Sequence, residues 1–130
     1  MPHSSTFLRR ALIADAVISG TSAVLLLAGA GLLSRMFGVS AELLRSAGWS
    51  LVPFMAFLIW LLTRANLPRT AVWVVIALNL GWVIGSIALL FVDRIDPTGL
   101  GIAFILVQAI AVAGFAEMQY VGLRRAAEVR

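Results

Sequence analysis

Four long apolar stretches, separated by short segments that carry most of the charges, dominate the pattern of this chain. They predict helices over residues of about 7–34, 41–63, 70–92 and 98–123. Each stretch is close to the roughly 20 apolar residues that an α-helix needs to cross a bilayer. A membrane β-barrel would instead alternate apolar and polar residues along strands of about ten residues. The pattern therefore predicts an all-α integral membrane protein.

The segments between the apolar stretches are short, at about residues 35–40, 64–69 and 93–97. Pro97 lies in the last of them and cannot continue a helix, because it lacks a backbone N–H. Consecutive helices joined by such short loops pack as antiparallel neighbours. We expect a single transmembrane domain over residues 1–130, arranged as an up-down-up-down four-helix bundle.

The arginine residues are distributed unequally between the two ends of the predicted helices. Short cytoplasmic loops of membrane proteins are enriched in basic residues. Seven arginines would lie at one end, and three, together with three acidic residues, at the other. The seven are Arg9, Arg10, Arg64, Arg69, Arg124, Arg125 and Arg130, and the three are Arg35, Arg45 and Arg94. This count predicts a membrane protein with both termini in the cytoplasm.

The composition agrees with a membrane protein and narrows the possible chemistry. Hydrophobic residues make up 62% of the chain, charged residues 12%, and the net charge is +4. The arginines flank the apolar stretches and form no basic stripe of the kind that binds nucleic acid. The chain has no lysine for a Schiff base, no cysteine, and a single histidine, His3, in the polar N-terminal segment. We therefore predict no metal, no cofactor and no enzymatic activity.

Two acidic residues fall within the predicted membrane helices. Asp15 lies five residues after Arg10, and Glu117 lies seven residues before Arg124. At a rise of about 1.5 Å per residue, they lie about 7 Å and 10 Å inside the cytoplasmic end. Such an acid is a candidate proton carrier or cation site, since its charge is costly in hydrocarbon. Alternatively, both acids pair with nearby arginines at the membrane surface and anchor the helix ends.

Three further polar residues of the predicted helices are candidates to line a path or to bond between helices. Asn79 is near the centre of the third helix, with Ser86 on the same face, and Gln108 lies in the fourth. We expect the two amides to face the interior of the bundle. Small residues four positions apart allow helices to approach closely. This spacing predicts packing seams, within the bundle or between protomers, that include Gly20, Gly81, Gly85, Ala109 and Ala113.

Two fragments of the chain resemble the small multidrug resistance transporters, which also place four helices in little more than a hundred residues. The sequence A-D-A-V-I-S-G-T-S at Ala14–Ser22 resembles their helix-one stretch around an essential acid, and P-T-G-L-G-I-A-F at Pro97–Phe104 resembles part of their third helix. The resemblance implies that Asp15 is a drug- and proton-binding carboxylate. The general layout is also similar to small four-helix inner-membrane proteins of bacteria that have an Arg-rich C-terminus.

Two functions fit these features. The first is a non-catalytic accessory, assembly or scaffold protein that packs in the bilayer against a larger membrane complex or against copies of itself. The alternative is a small oligomeric proton-coupled transporter or channel that uses Asp15 and Glu117, with Asn79, Gln108 and Ser86 along the path.

Overall fold

The computed structural model describes residues 2–92 and 96–129, and side chains over 6–92 and 96–125. In these ranges the chain is helical and contains no strand. The helices are α1 (Pro2–Ala28), α2 (Ala30–Phe37), α3 (Ala41–Leu62), α4 (Arg69–Leu89) and α5 (Gly99–Val129). Four segments are long and apolar enough to cross a membrane: Thr6–Ala28, Ala41–Leu62, Arg69–Leu89 and Gly99–Arg125. The predicted all-α architecture and its four apolar, membrane-length helices are confirmed for the described residues. Arg94 and Arg130 lie outside those residues.

The stretch predicted as one helix over residues of about 7–34 forms two consecutive helices in the structure. Gly29 separates α1 from α2, with φ −104° and ψ 13°. Its N–H still donates to the carbonyl of Leu25 at 2.8 Å, and its carbonyl accepts from Leu33 at 2.9 Å. Glycine has the lowest helix propensity after proline, which explains why the bend occurs there. Helix α2 then ends at Gly38, whose φ of 69° is a conformation that glycine adopts without steric cost.

Helix α3 has a capped N-terminus and contains an internal proline. Ser40 caps it, because the Ser40 hydroxyl accepts a hydrogen bond from the N–H of Leu43 at 3.1 Å. Glu42 lies in the first turn, where a negative charge is favoured by the helix dipole. Pro53 lies inside the helix, and Ser50, three residues earlier, donates to the carbonyl of Ala47 at 2.7 Å.

The helices do not pack in the order of the chain. Helix α1 packs against both α3 and α5, and α4 packs against α5. Helices α3 and α4 follow each other in sequence, yet their backbones make at most weak contact. The wider spacing between α3 and α4 leaves a cleft, whose inner side is formed by α1 and α5.

Two apolar clusters fill the interior of the bundle. The first combines buried residues of α1, α3, α4 and α5, namely Leu8, Leu12, Leu58, Leu61, Val72, Val75, Ile76, Ala116 and Leu123. The second holds α2 against α1 and α3, through Ala23, Leu26, Ala30, Phe37, Val39, Leu44 and Leu51. Lipid tails are as apolar as these side chains, so close packing rather than removal from water stabilises both clusters.

Hydrogen bonds fix the two ends of the bundle. At one end, the Arg9 guanidinium donates to the carbonyls of Leu62, Arg64 and Ala65 at 3.0, 2.9 and 3.2 Å. These bonds satisfy carbonyls at the end of α3 that have no partner within the helix. At the opposite end of α1, the chain continues through α2, and the hydroxyl of Thr98 donates to the carbonyl of Met36 at 2.7 Å. The start of α1 therefore lies beside the end of α3, and the end of α2 beside the start of α5.

Candidate functional site

Asp15 is the most deeply buried acidic side chain among the described residues, with only 1% of its surface exposed. It lies on α1 one turn before Ser19, so the two side chains share a face of the helix. The Ser19 hydroxyl donates to Asp15 Oδ1 at 3.1 Å. Ser19 is 8% exposed, so this face of α1 points into the bundle.

Two amide side chains from other helices complete the environment of this carboxylate. Asn79 of α4 donates to Asp15 Oδ2 at 2.8 Å, and Gln119 of α5 donates to the same oxygen at 2.7 Å. Asn79 Nδ2 also donates to Gln119 Oε1 at 3.1 Å. Asp15, Ser19, Asn79 and Gln119, each at most 8% exposed, form what we call the polar cluster. The cluster joins α1, α4 and α5.

Every group that donates to Asp15 is neutral. The carboxylate accepts three hydrogen bonds, and over the described part of the chain it has no cationic partner. Arg9 is bonded to the carbonyls after α3, and Arg125 lies over the Phe7 ring at 4.7 Å. Asp15 is therefore not an interfacial anchor paired with arginine. If it is ionised, its negative charge is held within the bundle by dipoles alone, which is costly in hydrocarbon.

The cleft between α3 and α4 reaches the polar cluster. It has a volume of about 380 Å³ and is lined by Ser19, Ser50, Leu51, Pro53, Phe54, Phe57, Leu78, Asn79, Trp82 and Val112. Its walls come from α3 and α4, which include the exposed side chains of Ser50 and Leu78, so it opens at the outer surface of the bundle. Ser19 and Asn79 belong both to the cleft and to the polar cluster.

The amide of Asn79 is only partly used by the polar cluster. Both bonds that it makes involve Nδ2, and Asn79 Oδ1 accepts no hydrogen bond from the described residues. All fully buried side-chain nitrogen and oxygen atoms in the described ranges have a partner, so Oδ1 must retain some accessible surface. Since Asn79 lines the cleft, this oxygen is an acceptor available to a molecule inside it.

Glu117, the second acid in the predicted helices, is exposed on the outside of the bundle. It precedes Gln119 by two residues, which places the two side chains about 200° apart around α5. Because Gln119 points at Asp15, Glu117 points away from it. The structure therefore does not bring the two acids together within one chain.

Gln108 and Ser86 lie outside the polar cluster. Trp82 Nε1 donates to Gln108 Oε1 at 2.7 Å, which joins α4 to α5. Gln108 Nε2 donates to the carbonyl of Ile105, and the Ser86 hydroxyl donates to the carbonyl of Trp82, each at 2.7 Å. Gln108 and Ser86, both half-buried, therefore form hydrogen bonds within or between α4 and α5 and do not extend the polar cluster.

The small residues predicted as packing seams divide into two groups. A Cβ at Gly20 would lie 2.6 Å from Met55 Sδ, and Ala109 is 2% exposed, so both are at helix contacts. Ala113 is half-buried on the same helix as Ala109. Gly81 and Gly85, in contrast, are exposed, and a Cβ at either meets nothing within 4 Å.

Sequence reasoning did not select two features that the structure makes prominent. Gln119 is 0% exposed, and its position on a face with Gln108 was the one available signal. Gly101 leaves less space than Gly20, Gly81 or Gly85, because a Cβ added to it would meet the backbone carbonyl of Phe37. The spacing of small residues gave no means to separate Gly101 from Gly81.

No family model, curated protein or solved structure matches this chain. The chemistry of the site is therefore inferred from the geometry of its own residues. Within the described residues, no group of three or more histidine, cysteine, aspartate or glutamate side chains is placed to hold a metal ion. What the site offers is one buried carboxylate, three neutral donors and an adjoining apolar cleft.

Proposed function

We propose that this protein is a small proton-coupled transporter of the bacterial cytoplasmic membrane, in which Asp15 binds and releases the proton. The observation that carries the proposal is a carboxylate 1% exposed, within a candidate membrane span, that is bonded only by neutral groups. Protonation removes a charge that the bundle does not neutralise. Glu117 faces outward and takes no part in this proton transfer.

The amides of the polar cluster suit a group that changes its protonation state. An ionised carboxylate only accepts hydrogen bonds, whereas the protonated acid also donates one. Asn79 and Gln119 each have an oxygen acceptor beside their NH₂ donor, so rotation of one amide accommodates either state. A lysine or arginine at either position would fix the ionised form instead.

In this proposal the four spanning helices alternate in direction and both termini are cytoplasmic. The bonds of Arg9 to the segment after α3 support this arrangement, since they put the start of one span beside the end of another. Arg69, at the start of α4, similarly donates to the carbonyl of Leu123 in α5 at 3.4 Å. Fusions of a dual reporter to the C-terminus test the orientation, and a periplasmic signal would contradict it.

The transport proposal is tested with purified protein in liposomes that contain a pH-sensitive dye. Under an imposed membrane potential, we expect the wild type to move protons above the rate of protein-free vesicles, and Asp15→Asn to lose this flux. Glu117→Gln is the matched control, because it neutralises an exposed acid of α5 outside the polar cluster, and it should retain the flux. Equal flux in wild type and Asp15→Asn would reject a proton site at Asp15.

A second candidate function is an accessory or assembly protein that packs against another membrane protein or a second copy of itself. The observation that favours it is the outward face of α4, where Gly81 and Gly85 meet nothing within 4 Å and Ile84 between them is 69% exposed. Glycines at this spacing allow a second helix to approach closely.

Purification in mild detergent tests this second candidate. We expect a stoichiometric partner or a defined oligomer that is lost in Gly81→Leu and Gly85→Leu. Gly114→Leu is the control, since Gly114 also has open space around its Cα but lies on α5. A monomer that purifies alone would remove the support for this function.

A further inference from the structure

We propose that the cleft between α3 and α4 is a binding site for a neutral lipophilic molecule that has a hydrogen-bond donor, such as a hydroxyl group, at one end. The cleft volume of about 380 Å³ lies in the range of ligand pockets, which is about 300 to 1,000 Å³. The proposal goes beyond the proposed function, because binding in the cleft requires no proton transfer at Asp15.

The walls of the cleft select the apolar part of the ligand. Phe54 and Phe57 of α3 face Leu78 and Trp82 of α4, and Val112 of α5 lies on the inner side. A ligand that enters between α3 and α4 comes from the bilayer, since both helices are candidate membrane spans. It must therefore partition into lipid before it binds, and an apolar chain meets that requirement.

The inner end of the cleft selects the polar part of the ligand. Asn79 Oδ1 is an acceptor without a partner among the described residues, and the Ser19 hydroxyl can also accept a bond. An acceptor that faces an apolar cleft without a hydrogen bond is unfavourable, so a donor on the ligand supplies the missing interaction. One donor group aligned with this end of the cleft gives the ligand a fixed orientation.

The charge distribution favours a neutral ligand over a cation. Asp15 is 1% exposed, its oxygens already accept three hydrogen bonds, and it does not line the cleft. The cleft therefore presents an amide and hydroxyls rather than a carboxylate. The aromatic rings Phe54, Phe57 and Trp82 offer a cation a competing attraction, so a cationic probe is the decisive comparison.

Fluorescence of Trp82, which lines the cleft, provides the measurement. A variant with Trp49, Trp60 and Trp73 replaced by phenylalanine retains Trp82 as its only tryptophan and is placed in lipid nanodiscs. Three quenchers with the same bromine-bearing undecyl chain are compared: an alcohol, an alkane and a quaternary ammonium ion. A variant that retains only Trp73, which is 42% exposed on α4, measures quenching from the surrounding lipid.

We expect saturable quenching of Trp82 by the alcohol, with half-saturation at a membrane mole fraction about tenfold lower than for the alkane, as one hydrogen bond predicts. The Trp73 variant should show no such difference. Equal quenching by alcohol and alkane would mean that the cleft holds only lipid chains and would overturn the proposal. Stronger saturable quenching by the ammonium ion would overturn it in favour of a cation site.

A substitution at the mouth of the cleft provides an independent test. Ser50 is exposed and lines the cleft, so Ser50→Phe should fill its entrance and abolish the saturable component. Ser46→Phe, one turn earlier on the exposed surface of α3, is the matched control and should retain it. Unchanged binding in Ser50→Phe would overturn the proposal. The three-quencher comparison decides it even if this variant fails to fold.

Discussion

Replacement of Asn79 by leucine tests whether the polar cluster holds the bundle together. Both side chains branch at Cγ and leucine is the larger of the two, so the change removes hydrogen bonds without opening a cavity. It eliminates the 2.8 Å bond to Asp15 and the 3.1 Å bond to Gln119. Hydrogen bonds between membrane helices average about 0.6 kcal/mol and reach about 1.7 kcal/mol. A bond to an ionised group is roughly twice as strong as a neutral one.

From these values we expect Asn79→Leu to lower the free energy of unfolding by about 2 kcal/mol. The measurement is reversible unfolding in mixed micelles at increasing denaturing-detergent fraction. Gln108→Leu is the control, because the bond that it removes between α4 and α5, from Trp82 at 2.7 Å, is neutral, and its other bond, to the carbonyl of Ile105, lies within α5. The control should lose only about 0.6 kcal/mol.

A double-mutant cycle with Asp15→Leu isolates the bond between Asp15 and Asn79. We expect a coupling free energy of about 1 to 2 kcal/mol, in the range found for residues that share a hydrogen-bond network. A coupling within about 0.3 kcal/mol of zero would refute the reasoning, because the carboxylate would then not be held by Asn79. Leucine is more apolar than the residues that it replaces, and this difference affects the stability of each single variant. The cycle cancels that effect and leaves only the coupling between the two side chains.

Two further predictions concern the helix contacts. Gly101→Ala should lower the free energy of unfolding by about 1 to 3 kcal/mol, because the added methyl group meets the backbone carbonyl of Phe37. Gly114→Ala is the control. An added Cβ there meets no atom within 4 Å, so this change should be neutral or slightly stabilising. Unfolding in the same micelles compares them, and equal stabilities would contradict the close contact. Arg9→Gln should increase amide hydrogen exchange over residues 61–66, because three carbonyl bonds are lost, and the exposed Arg10→Gln should not. Equal exchange in both variants would show that these bonds do not hold the end of α3.

The spans were predictable from the sequence because the thickness of the bilayer imposes a length on each apolar stretch. The inward face of α1 was also predictable, since helical periodicity places Asp15 and Ser19 together. The bend at Gly29 was not predicted, although glycine allows it. Hydropathy reports whether a residue prefers lipid, and it is insensitive to the backbone angle at one position.

The sequence did not predict which helices pack against each other or which residues form the polar cluster. Periodicity shows which residues share a face of one helix, but not how that helix is rotated relative to another. For this reason the sequence placed Gln119 on one face with Gln108 and away from Glu117, but did not show that this face meets Asp15. Short loops join α4 to both α3 and α5, yet α4 packs on α5 and makes at most weak contact with α3; loop length alone does not distinguish the two.

The origin of the polar cluster in three separate helices has a consequence for biosynthesis. Synthesis starts at the N-terminus, so Asp15 enters the membrane with α1 while Ser19 is its only donor from the final structure. Asn79 follows with α4, and Gln119 is added only when the last helix is made. A chain that stops before α5 therefore contains a carboxylate with an incomplete set of donors. Synthesis of the last helix is thus the step that completes the hydrogen bonding of a side chain in the first one.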